Sequence, residues 1–195
     1  MGVRVGSRFC VPIILAGVSA VALSAQDPGL PPEWEVQKNM SLLVEQTRRL
    51  GPLLEEAKPK AWIEKGAPDT YADQLSSTIA EQDYLLGSAE KLAADPERLS
   101  LALETYFRLQ FLEVMLDSLN EGIRRYQDTA LADRIRGVMT DGAVEREKLR
   151  QYVLRLASLK EEQFKVMDQE AQRCRALLLR QPPAAKDTEK KAVRK

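Results

Sequence analysis

The chain has 195 residues with 29 basic and 29 acidic side chains, two cysteines and no histidine. The balanced charge excludes a nucleic-acid binder of the ordinary basic kind. The missing histidine excludes serine–histidine and cysteine–histidine catalytic pairs, histidine-based zinc sites, and the Glu-x-x-His di-iron sites of helical bundles.

The N-terminus has the three-part layout of a secretory signal over residues 1–25. Arg4 and Arg8 form a positive start, and Phe9 to Leu23 is uncharged and mostly apolar. Ala22, Ser24 and Ala25 then offer small residues for cleavage after Ser24 or after Ala25. The apolar run has 15 residues and contains Pro12, whereas a spanning helix needs about 20, so we expect a cleaved signal rather than an anchor. Arg8 and Phe9 before Cys10 do not fit a lipidation site. Removal of Arg4 and Arg8 would leave one domain's worth of chain, about 170 residues, carrying a slightly negative charge and Cys174 as its one thiol. An internal disulfide is then impossible, and an intermolecular one is the alternative in an oxidising compartment.

Residues 26–32 read as a proline-rich linker, with Pro28, Gly29, Pro31 and Pro32. A first helix is expected from Glu33 or Trp34, with Leu43, Thr47, Leu50 and Leu54 on one face and Glu45 paired to Arg49. Gly51-Pro52 and Lys58-Pro59 should break it, because proline lacks the amide proton and clashes with the preceding turn. After a loop at Lys65–Pro68, a second helix runs from about Asp69 to Ala94. Its seam is Tyr71, Leu75, Thr78, Gln82, Leu85, Ala89 and Leu92, with Gln82 as a polar exception.

Asp95-Pro96-Glu97 has the chemistry of a helix start and predicts a third helix to about Tyr126. Leu109, Leu112, Leu116 and Leu119 lie on one stripe, and Leu103, Phe107, Phe111 and Met115 on a second. So little polar face remains that this helix is expected at the centre of the bundle. The alternative is that the side around Phe107, Phe111 and Met115 is left for a partner or second copy. Gln127-Asp128-Thr129 opens a short helix with Leu131, Ile135 and Val138 inward, ended by Asp141-Gly142. The last helix runs from about Ala143 to Arg180, near 57 Å at about 1.5 Å per residue. Leu149, Tyr152, Leu156, Leu159, Gln163, Val166, Glu170, Cys174 and Leu177 keep a heptad rhythm along it. Pro182-Pro183 stops it, and residues 182–195 read as a charged, disordered tail able at most to touch an anionic envelope surface weakly.

Strand signals are nearly absent and no 34-residue repeat is found. The expected fold is all-α: an antiparallel up-and-down bundle of about four long helices plus a short one, over residues 33–181. No catalytic, cofactor-binding or metal residue stands out, and no Asp-x-Asp-x-Asp-Gly loop occurs. Three side chains are singled out for interaction. Cys174 lies between Arg173 and Arg175, where its thiol could be activated; its heptad position favours burial in the seam. Trp34 and Trp62 flank the kinked first segment, as anchors for a partner or, the favoured reading, as seals on the open end of the bundle. Asn39-Met40-Ser41 matches a glycosylation sequon but sits inside a helix and is read as chance. The function expected is binding or scaffolding in the bacterial envelope, periplasmic or secreted, with a protein partner or a second copy. The alternative is a carboxylate-dependent hydrolase or divalent-metal-binding bundle.

Overall fold

The computed structural model describes residues 29–180. The expected signal over residues 1–25, the start of the expected linker and the expected disordered tail lie outside these residues. Seven helices and no strands occur among them: α1 (Glu33–Arg48), α2 (Leu50–Glu55), α3 (Pro59–Ile63), α4 (Thr70–Ala94), α5 (Leu99–Tyr126), α6 (Thr129–Asp141) and α7 (Ala143–Arg180).

The apolar stripes assemble a bundle with four staves. α1 packs on α4 and α7, and α5 packs on α4, α6 and α7, so α1 and α5 occupy a diagonal. The fourth stave is composite. α6 covers the lower half of α5, the chain turns at Gly142, and α7 continues upward along α5 and α1. Successive staves run in opposite directions, as short connections between helices require. At the upper end the Tyr152 hydroxyl of α7 donates to the Pro96 carbonyl in the α4–α5 turn. The helix α5 is therefore a corner stave rather than a central one. Leu109, Leu112, Leu116 and Leu119 are buried as expected, whereas Phe107, Phe111 and Val114 point outward.

The local breaks have specific causes. α1 ends one residue before the Leu50-Gly51-Pro52 turn of α2, because Pro52 has no N–H to return to the preceding turn. The seam glutamine, Gln82, donates its side-chain amide to the Thr47 carbonyl at 2.8 Å at this break, which explains its polar character in an apolar stripe. Arg49 does not pair with Glu45; it reaches across to Asp141 at 3.2 Å. Asp95-Pro96-Glu97 does not start a helix: the chain turns there, and α5 begins at Leu99 after Arg98, without a side-chain cap. Asp128, by contrast, caps α6 by accepting from the Ala130 amide at 2.9 Å.

The lower end is closed by one glutamine and three aromatic rings. Gln127 accepts from the Lys58 amide and from the Trp62 indole, each at 2.9 Å, and donates to the Glu56 carbonyl at 2.9 Å. Tyr71 packs edge-on against Trp62, with centroids 5.7 Å apart, and against Tyr126 at 6.0 Å. Gly122 permits this, since a Cβ there would lie 2.6 Å from the Tyr71 ring.

The core assignment predicts a contrast. Leu116→Ala removes a buried side chain and should cost roughly 2–5 kcal/mol in stability. Glu104→Ala and Phe111→Asp alter exposed side chains and should leave the melting temperature nearly unchanged. Thermal denaturation of the three variants checks this, and an unfolded Phe111→Asp would place that face in the core.

Tyr152 predicts a pH dependence. Burial, with smaller contributions from Glu97, Glu33 and Asp95, pushes its hydroxyl from 10.0 up to about 12. The unfolded chain ionises first, so this contribution is intact below pH 10.0 and is lost as pH rises toward about 12. Between those limits the stability of Tyr152→Phe should fall less steeply than that of the natural chain, measured by urea denaturation at each pH.

Candidate functional site

The lower half of α7 is held on one side by the bundle. Leu149, Tyr152, Val153 and Leu156 are buried, and Leu159 and Lys160 are half-covered. From Glu161 to Arg180 every residue is exposed. The expected seam thus divides: its upper members Gln163, Val166, Glu170, Cys174 and Leu177 have no bundle to pack on. The reason is length. α4 and α5 have 25 and 28 residues, while α7 has 38 and starts halfway up the bundle. About 30 Å of helix, 20 residues at about 1.5 Å each, projects beyond the α4–α5 turn as an arm.

The arm is not uniformly polar. Phe164, Met167, Ala171, Cys174 and Leu178 are spaced by three, four, three and four. The same rhythm leads back through Lys160 and Ala157 to the buried Val153, so the stripe continues the side of α7 that faces its own bundle. Val166, Leu177 and Leu179 widen the apolar surface. Sequence periodicity alone did not separate this stripe from the seam one residue away. The mismatch in helix lengths would have exposed it.

The singled-out residues fall in three different places. Cys174 is on the arm, exposed, which corrects the expectation of burial in the seam. Trp62 is 1 % exposed, sealed under Gln127 and Tyr71, so it closes an end of the bundle and offers nothing to a partner. Trp34 is 64 % exposed on the first turn of α1 and does not seal the bundle. The three are not brought together. Gln127, whose place in the sequence marks only a helix start, organises the lower end.

The carboxylates are dispersed among arginines. Glu81 and Glu104 flank Arg108, which also lies over the Tyr84 ring at 5.0 Å. Glu113 pairs with Arg146, and Glu56 with Arg134. Hydrogen bonds from Arg150 and then Gln151 hold the Glu147 carboxyl down at about 2. Among the described residues no group of three or more acidic or cysteine side chains is placed to hold a metal ion, and no helix is long and apolar enough to cross a membrane. A shallow groove between α1 and α7 is lined by Val36, Met40, Leu149 and Tyr152.

A second exposed apolar patch lies on α5, where Phe107, Phe111 and Val114 share one face at helical spacing. It is smaller than the arm and surrounded by polar side chains such as Gln110 and Asp117. No family model, curated protein or solved structure matches the chain.

Proposed function

We propose that this chain is a non-enzymatic helical binding or scaffold protein, exported to the bacterial envelope, that engages a protein partner through the arm of α7. The exposed apolar stripe on the arm carries the reading. An isolated helix of this length is marginal in water, and its stability ordinarily comes from packing an apolar face. Phe164, Met167 and three leucines left bare at one end of an otherwise well-packed bundle are what a docking element requires. The folded body supplies the rigid base from which the arm projects. The signal layout of residues 1–25 supports export.

The division between body and arm is testable. A chain ending at Lys160 should melt within about 2 °C of the full chain, because the arm adds no buried contact to the body. A photo-crosslinker placed at Val166 or Leu177 in the producing bacterium should give a covalent protein adduct, and one placed at the exposed Glu121 of α5 should not. Unfolding of the shortened chain, or arm positions as silent as Glu121, would overturn the reading.

A second measurement addresses the carboxylate-dependent alternative. Calcium, magnesium and manganese should each leave the melting temperature unchanged. A saturable rise would show a site that prefers the folded state and would favour the metal-binding reading instead.

A further inference from the structure

The arm carries a charge pattern as well as an apolar stripe. Its lower half, residues 161–170, holds Glu161, Glu162, Asp168 and Glu170 against Lys165, a net charge of −3. Its upper half, residues 171–180, holds Arg173, Arg175 and Arg180 with no acid, a net charge of +3. Glu170 and Arg173 pair at the junction, at 2.6 Å. Among the described residues the other six charged groups of the arm make no ion pair. A helix that is acidic over one half and basic over the other is complementary to itself when reversed.

We infer that the arm is covered by the arm of a second copy of this chain, laid against it in the opposite direction. This rests on the reading of the arm as a docking element and names its partner. Three observations converge on it. The stripe Phe164, Met167, Ala171, Cys174 and Leu178 has the three-four spacing that two helices need to interdigitate at a shallow angle. The reversed direction sets each acidic half against a basic half, whereas a parallel pair stacks like on like. The third is steric. The stripe lies on the side of α7 that faces its own bundle, where Val153 and Leu156 are buried. A parallel partner would need its own bundle in the space that α1 and α5 already fill. A reversed partner approaches from beyond the tip, and the two bodies stand apart at opposite ends of the paired arms, separated by about 30 Å of helix.

Between Asp168 and Arg175 the geometry places opposite charges on the same flank of the stripe, one heptad apart, so that each faces the other's counterpart in the second copy. Cys174 then packs as a small apolar side chain near the middle of the pair. The stripe covers little more than two heptads, so the dimer is a weak one that dissociates on dilution.

Sedimentation equilibrium of the purified protein over a concentration series tests the pairing. A reversible monomer–dimer equilibrium is expected, and Met167→Glu should abolish it while leaving the melting of the bundle unchanged. The triple variant Glu161→Lys, Glu162→Lys, Asp168→Lys should be monomeric alone, as should Arg173→Glu, Arg175→Glu, Arg180→Glu. An equimolar mixture of the two should dimerise. Direction is read by oxidation of Phe164→Cys in a Cys174→Ser background. In the reversed pair the two Cys side chains at position 164 lie near opposite ends and do not crosslink within a dimer that sedimentation still detects. A self-disulfide at that position would show a parallel pair and overturn the inference. So would a chain that stays monomeric at about 1 mM, a charge-reversed mixture that stays monomeric, or a monomer that binds vesicles of anionic phospholipid through the arm. If the chain is monomeric but the arm still crosslinks to another protein in the bacterium, only the identity of the partner fails.

Discussion

A helix can be covered only along the length of its neighbours, and the fourth stave of this bundle is longer than the other three. α4 and α5 run 25 and 28 residues, near 38 and 42 Å at about 1.5 Å per residue. The fourth path, α6 followed by α7, contains 13 and 38 residues with only Gly142 between them. Because α6 already spans the lower half, α7 enters at mid-height and reaches the top after Leu156. The arm, its bare stripe and the exposure of Cys174 all follow from that excess.

The lower end shows the opposite condition, where short elements are held by dense local bonding. α2 and α3 have six and five residues, too few to bury much apolar surface of their own. Gln127 compensates by satisfying backbone groups of Glu56 and Lys58 together with the Trp62 indole. A donor and an acceptor on one side chain close the α2–α3 turn against the start of α6. The aromatic cluster of Trp62, Tyr71 and Tyr126 fills the space beneath, and Gly122 makes room for it. One end of the molecule is thereby sealed, and the other extends into the arm.

Much of this architecture is legible in the residues. The stripes of α4 and α5 appear at helical spacing, and Asp128 marks the start of α6. The all-helical fold follows from them. Legibility fails where a residue's role depends on a distant element. Asp95-Pro96-Glu97 has the composition of a helix start, yet Pro96 is buried in a turn where its carbonyl receives the Tyr152 hydroxyl from 56 residues away. Trp34 and Trp62 are the same residue type in the same segment, and only the position of Gln127 and Tyr71 separates the buried one from the exposed one. The heptad rhythm of α7 specifies a helix with an apolar side without saying what meets that side. For the arm, the periodicity was visible and the absence of a neighbour was not.

The continuity of α7 across the edge of the bundle has a thermodynamic consequence. Amide protons between Leu149 and Leu156 belong to the cooperative core, so their exchange with solvent requires opening of the whole body. Those beyond Glu161 belong to a helix with no tertiary cover among the described residues, and a segment of about 20 residues alone in water unwinds readily. One unbroken helix therefore contains two populations of hydrogen bonds, of very different lifetime, joined near Lys160. Whatever covers the arm must supply the entropy of holding it helical, so occupancy of the stripe and order of the backbone beneath it rise together.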